Sequence, residues 1–410
     1  MPCVTIFSSD FCNGSSVVKE VLDRTGATLV TENDLIVRAS KLSGMSEEKL
    51  ERVFSSKTSV FNKFTHEKEL SLAYLKLAAA EILSGHKLLI GGYGGLLIPR
   101  AITHILHVCL VGDMQYRISV AVENQGLTER DALKMIKELD KERAYWVHTL
   151  HGVEEPWDPS LYDLVIPMGK SNVKEAASRI DDYLQKDILK PTSASRQAVQ
   201  DFLLAARVSV ALGHEGHNVE VNASEGRILL TINKNVLLLK RLQDELTEIA
   251  GRVEGVKAVE TKLGTTFHET DLYRKYDFNV PSKVLLVDDE CEFVQTLSER
   301  LLLRDMGSAV AHDGESALKL IADDAPEVLV LDLKMPGLDG IEVLRRVKKT
   351  RPDVEVIILT GHGSETDRQT CIQLGAFAYM HKPVDIDVLT AKLNEANKKV
   401  QEKKKARISN

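Results

Sequence analysis

Apolar residues recur along this chain in two rhythms. Short, nearly unbroken runs stand at CVTIF (3–7), KLLIGG (87–92), HVCLVG (107–112) and DLVIPM (163–168), and again in VLLVDDE (284–290), VLVLDLKMPGLDG (328–340) and VIILTGHG (356–363). Runs of this kind are expected of parallel strands buried on both faces. Between the first four, SEEKLERVF (46–54), ELSLAYLKLAAAEIL (69–83) and TERDALKMIKELDKERAYWVHTL (128–150) space their apolar residues by three and four, the period of a helix. Ser46 with Glu47 and Glu48, and Thr128 with Asp131, supply the capping residues and early acids that open such helices. Residues 1–185 therefore read as βαβ units forming an open parallel sheet with helices on both faces.

The pattern changes after residue 185. DILKPTSAS (187–195) has the Pro, Ser and Thr cluster of a linker. Beyond it, RQAVQDFLLAARVSVAL (196–212) predicts a helix and NVEVNASEGRILLTI (218–232) a hairpin turning at Ser224, Glu225 and Gly226. An amphipathic helix within 236–256, ended by Gly251, and a last strand over 257–263 complete a separate small α+β unit at 195–265. HEGH (214–217) invites a metal assignment, but no third ligand lies nearby, and a solvated loop is expected. The polar, irregular stretch around FHETDLYRKYDFNVPS (267–282) predicts a linker at 266–281. A third domain fills 282–400, with a basic tail at 401–410.

The candidate chemistry lies in that third domain, where each apolar run stops at a polar residue. Ligands in open parallel sheets bind beyond the carboxyl ends of the strands. Asp288, Asp289 and Asp332 would crowd at one rim, and carboxylates so close repel one another unless a cation joins them. Mg²⁺ fits, because it accepts one or two carboxylates, retains waters and takes phosphate oxygens. An aspartate can accept a phosphoryl group as an acyl phosphate once the charge on that group is neutralised. Lys382, in YMHKP (379–383), offers a mobile positive charge, and Thr360 a hydroxyl that can turn toward a phosphate oxygen. The alternative is a doubly wound domain with incidental surface acids.

This constellation resembles the receiver domain of two-component response regulators, from about Ser282 to Val400. The resemblance implies a flavodoxin-like (βα)5 fold with Asp332 as phosphoacceptor. It also implies Mg²⁺ bound by Asp289, Asp332 and the backbone carbonyl of Lys334, with Asp288 holding a metal-bound water. Thr360 and Tyr379 would be the switch pair, Lys382 the phosphate-sensing cation, and the bond before Pro383 cis.

Residues 1–185 resemble the cytidylate kinase-like family of P-loop nucleotide kinases. The likeness is carried by VTIF and the following loop, LLIGGYGGLLIP (88–99), HILHVCLVGDMQYRISVAVE (104–123), and ELDKERAYWVHTLHG with WDPSLYDLVI (138–166). It implies that Arg117 and Arg143 approach donor phosphates and that Asp140 precedes a lid arginine. A nucleotide would meet Gly14, Ser15 and Ser16 at a helix start, where free N–H groups favour anions. The loop SSDFCNGSS (8–16) departs from the family, carrying Phe11, Cys12 and Asn13 where glycine, serine and glycine are usual, and it has no lysine. The other reading of the two arginines is that they are ion-paired on a fold kept for binding alone. Residues 195–265 resemble a BON domain through their element order and GRVEGVKAVE; such modules are associated with lipid or protein interaction.

Composition narrows the classes. A formal charge of −7 on 410 residues, with both signs interspersed, gives no nucleic-acid footprint. Five cysteines without CxxC spacing indicate neither a disulfide framework nor a zinc site, and point to a reducing cytoplasm. No apolar run is long enough for membrane insertion, and no secretory signal opens the chain. The expected function is that of a response regulator. A histidine kinase or phosphotransfer protein would phosphorylate Asp332, and the upstream domains would respond by binding a nucleotide or protein; a phosphorylation-dependent dimer is a further candidate. The alternative is a receiver-gated nucleoside monophosphate kinase.

Overall fold

The computed structural model describes residues 3–408 apart from 56–58, 84–86, 235, 237–238, 266, 268–282, 305 and 362. The chain divides into two compact units: Met1–Thr58 with Lys68–Tyr273, and Ser59–Glu67 with Arg274–Asn410. Most of the linker expected at 266–281 lies outside the described residues, as do the last two residues of the tail. None of the described helices is long and apolar enough to cross a membrane.

In the first unit, β1 (Cys3–Ser8), β2 (Thr28–Val30), β3 (Leu88–Gly91), β4 (Ile105–Val111) and β5 (Leu164–Pro167) form a parallel sheet in the order β2-β3-β1-β4-β5. Successive side chains of a strand point to opposite faces. In β1, Cys3 and Phe7 enter one apolar core while Val4 and Ile6 enter the other; in β4, Ile105 and Cys109 oppose Leu106, Val108 and Leu110. Burial on both faces explains the unbroken apolar runs. The strand β2 escaped the pattern because its three residues include only one, Val30, that is buried. The helix Glu129–His151 opens as expected, with the Thr128 side chain accepting from the Asp131 amide.

A second, three-stranded sheet lies in the same unit. Antiparallel β6 (Glu220–Ser224) and β7 (Arg227–Ile232) turn through Glu225 and Gly226, both at positive φ (51° and 87°), the backbone of a two-residue hairpin. The helix Leu239–Gly251 then crosses to β8 (Ala258–Leu263), parallel to β7. Two expectations change here. The stretch read as a linker ends in a capping residue: Thr192 forms a capping box with Ser195 and starts the helix Ser193–His214. That helix serves two cores, giving Val199, Phe202 and Ala206 to the large sheet and Leu204, Val208 and Leu212 to the small one. The small sheet is therefore packed into the first unit through one helix. HEGH is solvated only in its first half, where the exposed His214 ends the helix and the exposed Glu215 follows it. His217 donates its amide to the Leu212 carbonyl, which folds the chain back under the helix end and buries the ring 3.5 Å from Glu245, while His214 pairs with the Tyr74 hydroxyl.

The second unit is a doubly wound domain. Its parallel sheet runs β10-β9-β11-β12-β13, from β9 (Val284–Val287), β10 (Ser308–Ala311), β11 (Val328–Leu331), β12 (Glu355–Thr360) and β13 (Ala378–His381). Leu285, Val287, Leu329, Leu331, Val356 and Ile358 fill one face; Val284, Leu286, Val328, Val330, Ile357 and Leu359 fill the other. The expected tail is the end of a continuous helix, Ile386–Ile408.

Candidate functional site

The paired strands β9 and β11 end in register at Val287 and Leu331, so the residues that follow, Asp288 and Asp332, emerge side by side. Both are nearly buried, and one oxygen from each, with one from Asp289, lies within 4.8 Å of the others. Backbone amides fix two of the carboxylates. Glu290 N–H donates to Asp288 Oδ1 at 3.0 Å, and Leu333 N–H to Asp332 Oδ1 at 2.7 Å. This leaves Oδ2 of each facing the Lys382 ammonium. Lys382, just past β13, places Nζ 2.7 Å from Asp288 Oδ2, 2.8 Å from Glu290 and 3.4 Å from Asp332 Oδ2, with the Phe293 ring centroid 4.5 Å away. Its own amide donates to the Thr360 carbonyl at 3.0 Å, and the bond to Pro383 is cis.

Charge follows from this packing. Burial pushes the Asp288 carboxyl above its ordinary range against the pull of Lys382. Burial also works against the Lys382 ammonium, but hydrogen bonds to Asp288 and Glu290 and attraction from Asp332 outweigh it and raise its pKa. One ammonium thus faces several carboxylates. A crowded, hard-oxygen donor set of this kind fits a small divalent cation.

Thr360 ends β12 and is fully buried. Tyr379 stands on the neighbouring β13 with its hydroxyl shielded from solvent and, among the described residues, without a hydrogen-bond partner. A Cβ at Gly363 would fall 1.8 Å from that hydroxyl and 3.0 Å from Thr360 Cγ2, so the missing side chain makes the space Tyr379 fills. Gly340 likewise leaves room for the backbone beneath the phosphoacceptor candidate. A Cβ there would lie 2.2 Å from the Asp332 carbonyl oxygen, and its amide donates to Leu333 O at 3.0 Å. Lys334 turns its amide toward Asp332 Oδ1 at 3.5 Å. Glu290, Phe293, Gly340 and Gly363 were not singled out from the sequence. Glu290 was signalled only as a third consecutive acid, and Phe293 not at all.

The loop after β1 behaves differently. Phe11 and Asn13 adopt left-handed backbone (φ 57° and 60°), the geometry that glycine takes readily. Gly14 begins the helix Gly14–Thr25, with Ser15 and Ser16 exposed beside it. The arginines are turned inward. Arg117 is buried, donating from Nε to the Asp10 carbonyl at 2.8 Å and from both Nη atoms to Asp140 at 2.8 and 2.7 Å. Arg143 donates from Nε to the Ser8 carbonyl at 2.9 Å and pairs through Nη1 with the Asp10 carboxylate. Asn13 donates to the Tyr116 hydroxyl at 2.9 Å. Phosphate groups arriving here would compete with two carboxylates already seated.

Residues 284–394 match the response regulator receiver domain family, and residues 3–170 the cytidylate kinase-like family. Among curated proteins, the chain is 37% identical over 111 residues to response regulator MprA of Mycobacterium avium, covering 27% of this chain and 49% of that one. It is 36% identical over 114 residues to the protein of that name from Mycolicibacterium vanbaalenii, covering 28% and 49%. The chain thus spans about half the length of the curated relatives it matches. Among solved structures, the receiver domain of the Francisella response regulator 1452 shares 34% identity, covering 29% of this chain and 97% of that one, with a TM-score of 0.28. A receiver domain protein from Clostridium thermocellum shares 32%, covering 29% and 96%, with a TM-score of 0.28.

Proposed function

We propose that this chain, which carries a response regulator receiver domain at residues 284–394, is a two-component response regulator phosphorylated on Asp332. The observation that carries the reading is the convergence of Asp288, Asp289, Asp332 and Lys382 at the carboxyl ends of β9, β11 and β13. Asp289, Asp332 and the Lys334 carbonyl would hold Mg²⁺, with Asp288 acting through a water. When bound, that ion would supply charge neutralisation for the incoming phosphoryl group.

The chain's own residues do the rest. Leu333 N–H ties Asp332 Oδ1, which leaves Oδ2 to attack phosphorus. An O–P bond forms as the P–N bond of a donor phosphohistidine breaks, and the imidazole nitrogen keeps the electron pair. Lys382 already reaches toward Oδ2 and neutralises the transferred oxygens. Thr360 then turns its hydroxyl toward the phosphoryl group, and Tyr379 follows into the space that Thr360 leaves. New charge and new acceptor oxygens drive this local repacking. Hydrolysis of the acyl phosphate resets it.

The output falls to the upstream regions, acting by binding and without phosphoryl transfer of their own. Support comes from Asp10 and Asp140, which occupy the two arginines a nucleotide would need. A receiver-gated nucleoside monophosphate kinase is the second reading, favoured by the family match at 3–170. One experiment addresses both. Purified chain receives label from a phosphorylated histidine kinase domain, with and without chelator, and is assayed in parallel with ATP, Mg²⁺ and CMP. Chelator-sensitive label on Asp332 with no CMP phosphorylation is the expected result. No label at that residue would overturn the first reading, and CMP turnover abolished by Arg143→Ala would establish the second.

A further inference from the structure

The second unit contains nine residues from far upstream. Ser59–Glu67, more than two hundred positions before β9, belong with Arg274–Asn410. Phe61 is fully buried in the core that also holds Leu329, Leu331, Ala317 and Ile321. The remainder of the segment is anchored by charge. Lys283, 5% exposed at the start of β9, donates to Asp324 at 3.1 and 2.9 Å and lies 2.5 Å from Glu67, with the Phe61 ring centroid 6.0 Å away. Ser59 donates its hydroxyl to Asp324 and accepts from the Phe61 amide at 3.1 Å, which fixes the turn entering the short helix Asn62–Thr65.

A buried ammonium needs its partners, because removing one strands a desolvated charge. Lys283 draws one carboxylate from the receiver sequence and one from the segment. An aromatic ring buried beside that pair makes a second, apolar anchor. Two independent anchors of different physical kinds at one place describe a docking surface with a specific occupant, rather than a passing loop. We propose that the surface formed at the amino ends of β9 and β11, beside the helix Gly314–Asp323, is an in-cis docking site, and that Ser59–Glu67 is its occupant. The same core contains Leu331 and Leu333, the neighbours of Asp332. We infer that the segment thereby reads the state of the phosphoacceptor; this second step rests on Asp332 being that acceptor.

Hydrogen exchange of the full chain, resolved by peptide, tests both steps. Ile357→Val weakens the receiver from the opposite face of its sheet, where Ile357 is packed away from Phe61. A docked segment must open with the receiver, so amides of 62–67 should exchange faster by the same factor as those of β9 and β11, roughly two- to tenfold for a deletion of this size. Unchanged exchange at 62–67 while β9 and β11 accelerate would refute the docking. Acetyl phosphate with Mg²⁺ provides the second arm. Protection of 59–67 should change in the natural chain and not in Asp332→Asn. Labelled Asp332 with no change at 59–67 would refute the transmission; absence of label would instead count against the phosphoacceptor, and the Ile357→Val arm would still judge the docking.

Discussion

At the scale of single residues, Lys382 decides how the acidic rim behaves. It meets Asp288, Asp332 and Glu290 at once, and burial has already raised the Asp288 carboxyl. A charge-assisted contact of this kind contributes about 1.5–3 kcal/mol. Lys382→Met should therefore slow acetyl phosphate labelling of Asp332 roughly ten- to hundredfold while the fold is retained, which circular dichroism and a labelling time course would establish together. Equal rates in the two proteins would remove Lys382 from the chemistry. These residues were legible because each ends an apolar run, and a run buried on both faces has few ways to finish. Glu290 and Phe293 were less so, because their roles depend on where Lys382 reaches from a strand about ninety positions away.

Two elements carry predictions of their own. The long helix Ile386–Ile408 is fastened to the buried first residue of β12, Glu355, by Lys399 at 3.2 Å and by Lys403 at 2.6 Å, with Lys348 at 3.8 Å. Burial alone would raise the Glu355 pKa, but the lysines outweigh it and hold it below the ordinary 4.5. A carboxyl depressed on folding gives stability that is fully present above its unfolded pKa and is lost as pH falls through the folded one. Glu355→Gln should therefore lower receiver stability at neutral pH and flatten its decline below about pH 4.5, as denaturant titrations across pH would show. An unaltered acid limb would contradict the clamp. The helix Ser193–His214 joins two cores, so Phe202→Ala should cost about 3–5 kcal/mol and loosen β6 and β7 along with the large sheet, measured by exchange of the full chain. If β6 and β7 kept their protection, the small sheet would be an independent domain after all. In sequence the two look separate because Pro191, Thr192 and the serines form a turn-like cluster. The same residue types cap helices, and only packing distinguishes the two uses.

Across the whole molecule, the sheets and helices were largely readable, since period and strand length are local properties. Other features were not. The short β2 lacks a pattern, the buried imidazole of His217 sits in a sequence that looks like a surface turn, and Phe61 serves a core assembled from residues more than two hundred positions away. Each depends on long-range packing. The upstream arginines give a different lesson, for the family resemblance implies contacts to donor phosphates, while in the fold Arg117 and Arg143 pair with Asp140 and Asp10. Everything downstream of the rim depends on a phosphoryl group being accepted at one carboxylate. Intact mass and peptide mapping of the purified chain after acetyl phosphate and Mg²⁺, beside Asp332→Asn, tests this most directly. One base-labile phosphoryl group on Asp332, prevented by chelator and missing from the variant, is the expected result; an unmodified chain, or equal labelling of the variant, would contradict the account.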